Sequence, residues 1–228
     1  MKISILTLFP KMFSGPFDES IIKRAIEKNI VQVNLVDIRD FGLGSHKTVD
    51  DTPYGGGVGM LMRVDVVKKA IDQTREKNFS KKDEKVLLLS AAGTKFNQRT
   101  AMSLSKLKHL IIICGHYEGV DYRIRKFIDL EISIGDFVLT GGEIPAMAIT
   151  DVVLRLVPGV LKKDATNIES FSTKNLLEYP QFTKPAEFEG QKVPEILLSG
   201  DHGKINEWRS RQAHLQTRRN RPDLIKEE

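Results

Sequence analysis

One cysteine, Cys114, is all the thiol this 228-residue chain contains, so no disulfide can close within it and a reduced, cytoplasmic setting is expected. Long apolar runs are missing too: none approaches the roughly 18 residues a membrane span requires. The segment from Met1 to Pro10 is apolar but short, stops at Pro10 and lacks a small-residue cleavage site, so it reads as a first buried strand rather than a secretory leader. The 17 glycines and 9 prolines are ordinary usage, which excludes a collagen-like or low-complexity chain. No G-x-x-x-x-G-K-[ST] occurs and no G-x-G-x-x-G follows a strand, which argues against a P-loop nucleotidase and a dinucleotide enzyme. Histidines 46, 109, 116, 202 and 214 show neither H-E-x-x-H nor a Cys/His zinc spacing, so no metal ligands are assigned. An excess of one charge sign is also slight, 35 Lys+Arg against 30 Asp+Glu. Where the cations sit therefore matters more than their total.

What is present is an alternation of strand-like and helix-like segments. Ile3 to Phe9 and Val31 to Ile38 read as strands, and residues 18–29 place Ile21, Ile22, Ala25 and Ile26 on one helical face. Val64 to Gln73 is helical. Val86 to Leu89, Leu110 to Cys114 and Leu130 to Ile134 are buried strands, with helices expected from about Asn97 to Leu107 and from Glu143 to about Leu156, the latter stopped by Pro158-Gly159. Short apolar strands separated by helices imply an α/β domain around a parallel sheet. Past Leu161 the pattern changes. Residues 162–175 are polar without a period and read as a flexible connector, and a helix from about Lys204 to Arg219 implies a small C-terminal helical domain.

Glycines cluster at the ends of the expected strands: Gly93, Gly115 and Gly119, Gly135, Gly141 and Gly142. They are either tight turns and helix caps, or loops that bring backbone around one small molecule beyond the carboxyl ends of a sheet. Asp50 to Met60 is a Gly-rich loop with an acidic start and no phosphate-cradling lysine: a surface loop, or one that lets a partner approach the backbone. Cys114, beside Gly115-His116, is a buried structural thiol or a nucleophile. The C-terminal helix carries Lys204, Arg209, Arg211, Arg218, Arg219 and Arg221 against Glu207 alone between Gly203 and Arg221. Trp208, Gln212 and Leu215 are its expected packed face, and Arg211 and Arg218 share another. Such a helix is either a solvated charged surface or a contact for nucleic-acid phosphates.

Two stretches, Ile113-Cys114-Gly115-His116-Tyr117-Glu118-Gly119-Val120-Asp121 and Ser133 through Met147 (SIGDFVLTGGEIPAM), closely resemble the bacterial tRNA (guanine-N1)-methyltransferases, the TrmD type of the SPOUT superfamily. The resemblance extends to Asp50 through Gly57 (DDTPYGGG), Arg155 through Leu161 (RLVPGVL), Leu197 through His202 (LLSGDH), Trp208-Arg209 and Arg221 through Leu224 (RPDL), essentially the whole chain in order. It implies a SPOUT-type parallel sheet with a deep trefoil knot over 1–161, a linker over 162–175, a tRNA-binding helical domain over 176–228, and a homodimer with its active sites at the interface. S-adenosylmethionine would be held by Leu89, Ser90 and Gly93, by Gly115, Tyr117 and Glu118, and by Ser133, Ile134, Gly135, Leu139, Gly141, Gly142 and Pro145.

The implied reaction is methyl transfer to N1 of guanosine 37, beside the anticodon. N1 carries a proton at neutral pH, so a general base must remove it, and charge developing toward O6 needs a cation, the role the resemblance places on Arg155. Asp50, Gly57, Gly59, Arg209, Arg211 and Arg218 would contact tRNA. The family is linked to Mg²⁺, for which the sequence offers no ligand set. The chain departs from the family in three places. Glu169, before Ser170-Phe171, stands where an aspartate is usual as base, with Asp164 an alternative; Thr52 replaces an arginine; Ala91 replaces a proline. An RNA-binding protein of this fold without turnover, or a methyltransferase acting at another RNA position, are the competing readings.

Overall fold

In the computed structural model, which describes residues 1–162, 165–172 and 175–225, the apolar runs become five parallel strands. These are β1 (Lys2–Thr7), β2 (Gln32–Asp37), β5 (Glu84–Lys95), β6 (His109–Cys114) and β7 (Leu130–Ser133), in the order β2-β1-β6-β5-β7. A small antiparallel pair, β3 (Asp50–Asp51) and β4 (Leu61–Met62), flanks the Gly-rich loop. The four longer helices of this unit are α1 (Ser20–Glu27), α2 (Val64–Thr74), α3 (Gln98–Leu104) and α4 (Glu143–Leu154).

Side-chain alternation along the strands makes two cores. Ile3, Ile5, Leu87, Leu110 and Ile112 pack with Ile22 of α1, Leu104 of α3 and Ile149 and Val153 of α4. Leu6, Val86, Leu88, Ile111 and Ile113 pack on the other face against Val66, Val67, Ala70 and Ile71 of α2. Every residue of β6 is buried, which explains why that strand reads as an unbroken apolar run rather than an alternating one.

The amino ends of β1, β5 and β6 meet at a buried polar cluster. His109 Nδ1 donates to Glu84 Oε2 at 2.7 Å, and its Nε2 lies 2.9 Å from the Ser4 hydroxyl. Burial holds this imidazole below its ordinary value of 6.5, against the raising pull of the Glu84 hydrogen bond.

The chain divides into two compact units, Met1–Lys162 and Lys163–Glu228. In the second, β8 (Glu187–Phe188) and β9 (Gln191–Lys192) form a hairpin around Glu189 and Gly190, both at positive φ, as a two-residue turn requires. Then come α5 (Glu195–Leu198) and α6 (His202–Asn220), the latter capped by Asp201, which accepts from the Lys204 amide. The packed face of α6 differs from the expected one. Ile205 and Thr217 are its buried residues, while Leu215 is 48% exposed. The reason is polar: the Thr217 hydroxyl donates to the Ala213 carbonyl and accepts the Leu177 amide at 2.9 Å, pinning that side of the helix inward. Of the polar stretch 162–175, Phe171 donates its amide to the Leu176 carbonyl and Ser170 Oγ accepts the Glu178 amide. Asp164 lies outside the described residues. Among the described residues no helix is long and apolar enough to cross a membrane.

Because the folded protein disfavours the charged form of His109, the unfolded chain takes up a proton first as pH falls below about 6.5, and stability drops. The urea midpoint of the wild type should therefore decline between about pH 7 and about pH 5. His109→Gln should show a shallower decline over the same range; an identical slope would remove His109 as the cause.

Candidate functional site

The site is built where β5, β6 and β7, adjacent in the sheet, reach their carboxyl ends. On β5, Leu89 and Thr94 both pair with Ile132 of β7, so residues 90–93 loop out between them. Gly93 closes that loop: a Cβ there would lie 2.5 Å from the Ile132 backbone. After β6, Gly119 donates its amide to the His116 carbonyl in a tight turn. After β7, the Ser133 hydroxyl donates to the Gly135 carbonyl at 2.8 Å. The last two loops are then joined, Gly142 donating to the Gly115 carbonyl at 2.8 Å. That approach demands glycine, because a Cβ on Gly142 would stand 2.7 Å from the Cys114 Cα.

These loops enclose a cavity of about 510 Å³, within the size range of small-molecule sites. Leu89 and Ser90 contribute one wall, with Gly115, Tyr117 and Glu118 forming a second. Ser133, Ile134 and Gly135 supply a third, and Leu139, Gly141, Gly142 and Pro145 complete it. Of the residues expected at a cofactor, Gly93 alone is outside the lining; it shapes the bulge rather than facing the cavity. The lining also contains Arg125, bidentate to Glu131 at 2.6 and 2.8 Å and lying 4.1 Å over the Tyr122 ring. Sequence reasoning missed this cluster, since its members lie in an expected loop and strand with no local signal that they meet.

The Gly-rich loop is fastened to the same wall. Glu118 donates its amide to the Met60 carbonyl at 3.0 Å, and Met62 donates to Gly119 at 2.9 Å. Gly59, at φ +94°, passes so near that a Cβ would stand 2.4 Å from Glu118 Cγ. Asp50 sits in β3 at the base of this loop, and Gly57 lies on its exposed part. Cys114 is fully buried, and burial first, then the charge of Glu143, push its thiol well above its usual value. The nucleophile reading is thereby excluded.

Two expected catalytic residues are not among the residues that line this cavity. Arg155 caps the carboxyl end of α4, whose 12 residues rise about 18 Å from the cavity end. It is not one of the cavity walls. Glu169 belongs to the second unit, in a hollow of about 250 Å³ shared with Tyr179, Asn206, Arg209 and Ser210. There the Arg209 guanidinium sits 4.9 Å from the Tyr179 ring centre with Nε buried and unbonded. Arg211 and Arg218, in contrast, are exposed on α6.

An open parallel sheet with a glycine-walled cavity beyond its carboxyl ends defines an α/β protein with a cavity of small-molecule size. The comparisons name the family. The family model described as tRNA (Guanine-1)-methyltransferase TrmD matches residues 1–227, and the chain belongs to that family. Among its relatives, the tRNA (guanine-N(1)-)-methyltransferase of Desulforudis audaxviator is 54% identical over 99% of this chain and 90% of its own length. Those of Dictyoglomus turgidum and of Clostridium botulinum strain Eklund 17B are 53% and 54% identical, again over 99% of this chain, and over 90% and 93% of their own lengths.

Gly142→Ala should cost about 1–3 kcal/mol of stability in urea melts, since backbone rather than a flexible side chain blocks the new methyl. Gly203→Ala, where the nearest atom is Asp201 Oδ1 at 3.4 Å within α6, should be neutral or stabilising by up to about 1 kcal/mol. Equal effects would mean that the join at Gly142 is not tight.

Proposed function

We propose that this protein transfers the methyl group of S-adenosylmethionine to N1 of guanosine 37 in tRNA. The observation that carries the reading is the convergence of the β5, β6 and β7 loops on one cavity, in a chain of a family named for tRNA guanine-N1 methylation. The cavity's size and bare glycine backbone suit an elongated ligand such as S-adenosylmethionine, which supplies an electrophilic methyl when bound. Membership of the family supports a trefoil knot within residues 1–161.

In this reading Glu169 removes the N1 proton and Arg155 stabilises negative charge developing on O6. Residues 162–175 are the connector that carries the base, and residues 176–228 bind tRNA, with Arg211 and Arg218 offered to phosphates and Arg209 facing the hollow beside Glu169. Asp50, Gly57 and Gly59 present the Gly-rich loop to the same substrate. The distance of about 18 Å along α4 between the cavity end and Arg155 supports a homodimer in which one protomer's arginine serves its partner's cavity. Exposed apolar side chains near the cavity mouth, Phe137 and Val138 among them, support it as well. Among the described residues no group of three or more His, Cys, Asp or Glu side chains is disposed to hold a metal ion. No ligand is therefore assigned to the Mg²⁺ with which the family is linked. A tRNA substrate and a single, buried thiol fit a cytoplasmic enzyme.

The test is methyl transfer from labelled S-adenosylmethionine to tRNA transcripts carrying G37 or A37, with the product nucleoside identified. Label recovered as 1-methylguanosine from the G37 transcript alone supports the proposal; label elsewhere moves the site. Cofactor and tRNA binding without transfer would favour a binding protein of the same fold. Arg155→Ala and Glu169→Gln should each lower turnover by at least about a hundredfold while cofactor still binds. Near-normal turnover in Glu169→Gln would transfer the base to Asp164. Truncating Arg211 or Arg218 should weaken tRNA binding and reduce the salt slope by about one for each phosphate no longer neutralised. An unchanged slope would leave α6 a solvated surface.

A further inference from the structure

Behind the glycine wall of the cavity the first unit buries a carboxyl group that the proposed reaction does not use. Glu143 opens α4 and is 1% exposed. Its Oε1 accepts the Thr7 hydroxyl at 2.8 Å, and Thr7 in turn accepts the Phe9 amide, so the hydroxyl proton is committed to the carboxylate. Its Oε2 faces His116 Nδ1 at 3.8 Å, beyond hydrogen-bond reach. That nitrogen is itself buried and has no hydrogen-bond partner. Both groups press on Gly141, where a Cβ would stand 2.4 Å from Glu143 Oε2 and 2.5 Å from His116 Nδ1. Gly141 and His116 are walls of the cavity. The His116 ring is fixed between Phe9, 4.7 Å away, and Tyr117, 5.1 Å away.

A buried anion is ordinarily matched by a cation close enough to bond. Here the bonded partner is a neutral hydroxyl, and the imidazole at 3.8 Å lies within ion-pair distance but makes no hydrogen bond. The carboxylate stands at the positive end of the α4 dipole, where negative charge is favoured. Low surrounding polarisability lets the field reach across one glycine into the cavity instead of being screened. Other charged walls contribute less: Glu118 is exposed to solvent, and Arg125 is matched by Glu131.

We propose that Glu143, acting across Gly141 and His116, makes the cavity selective for a ligand bearing positive charge. It is a positioning residue that favours a sulfonium over the corresponding thioether. This rests on the assignment of S-adenosylmethionine to the cavity. In the transfer the methyl–sulfur bond breaks, a methyl–nitrogen bond forms at N1, the bonding pair stays on sulfur, and the N1 proton goes to the base. The ligand thereby changes from cation to neutral thioether while Glu143 keeps its charge. Attraction to the cavity falls as the reaction completes, which favours exchange of spent for fresh cofactor.

The experiment is calorimetric titration of the full-length protein, without tRNA, by S-adenosylmethionine and by S-adenosylhomocysteine. The expectation for Glu143→Gln, which can still accept from Thr7, is about a tenfold loss of affinity for the sulfonium, equivalent to about 1.4 kcal/mol. Affinity for the thioether should change by less than about twofold, and Glu143→Asp should retain the wild-type preference. Equal losses for both ligands would reduce Glu143 to a structural strut, and no change in either would overturn the proposal outright. Should Glu143→Gln fail to fold, His116→Lys carries the test. A permanent cation beside the carboxylate must lower the sulfonium-to-thioether preference, and an unaltered preference refutes the inference. A wild-type protein that binds neither ligand refutes instead the cofactor assignment on which the inference stands.

Discussion

The backbone bond from the Gly142 amide to the Gly115 carbonyl is the join on which the rest of the site depends. It draws the start of α4 against the end of β6, so that the loop after β7 must pass over the mouth of the sheet before the helix begins. With a side chain at position 142 the two backbones could not approach as closely, since its first carbon would stand 2.7 Å from the Cys114 Cα. Once made, the join decides the height of His116 and Gly141, whose backbones form their own bridge. It also decides the depth at which Glu143 is buried.

The sheet supplies the rigidity that lets such a join persist. β6 lies between β1 and β5 and is buried along its whole length. Its two side-chain rows key into separate cores, one built with α1, α3 and α4 and the other with α2. Each large aliphatic side chain buried there contributes about 1.5–3 kcal/mol relative to exposure. The loops themselves bury little, so their placement is inherited from the strands that end beneath them. The same arrangement stations a polar cluster of Ser4, Glu84 and His109 at the opposite end of the strands, where it closes the core without entering the site.

In the second unit the organising contacts are polar and aromatic. Thr217 links α6 to the segment at Leu177 through its hydroxyl, Phe182 approaches Trp208 at 6.4 Å, and Arg209 covers Tyr179. Arg209 is thereby turned into the hollow that contains Glu169, while Arg211 and Arg218 remain outside on the same helix. Helix phase therefore divides one run of arginines between two environments.

Strand and helix identities were legible in the sequence because hydrophobic periodicity is local, and α2, β6 and β7 lie within a residue or so of their expected limits. The glycine clusters were legible as loops for the same reason. Their convergence was not, because it depends on strand order, and nothing local reports that β5 lies between β6 and β7. The inward face of α6 differs at Leu215 because Thr217, which accepts the Leu177 amide, turns inward and leaves the leucine exposed. Glu143 reads in the sequence as an ordinary acidic residue in the first turn of a helix, where the dipole favours it. That it is instead a buried carboxyl group beside a cavity was decided by tertiary structure alone. Only the packing of α4 under the Gly115 loop removes water from its carboxylate and sets Thr7 and His116, distant in the chain, on either side.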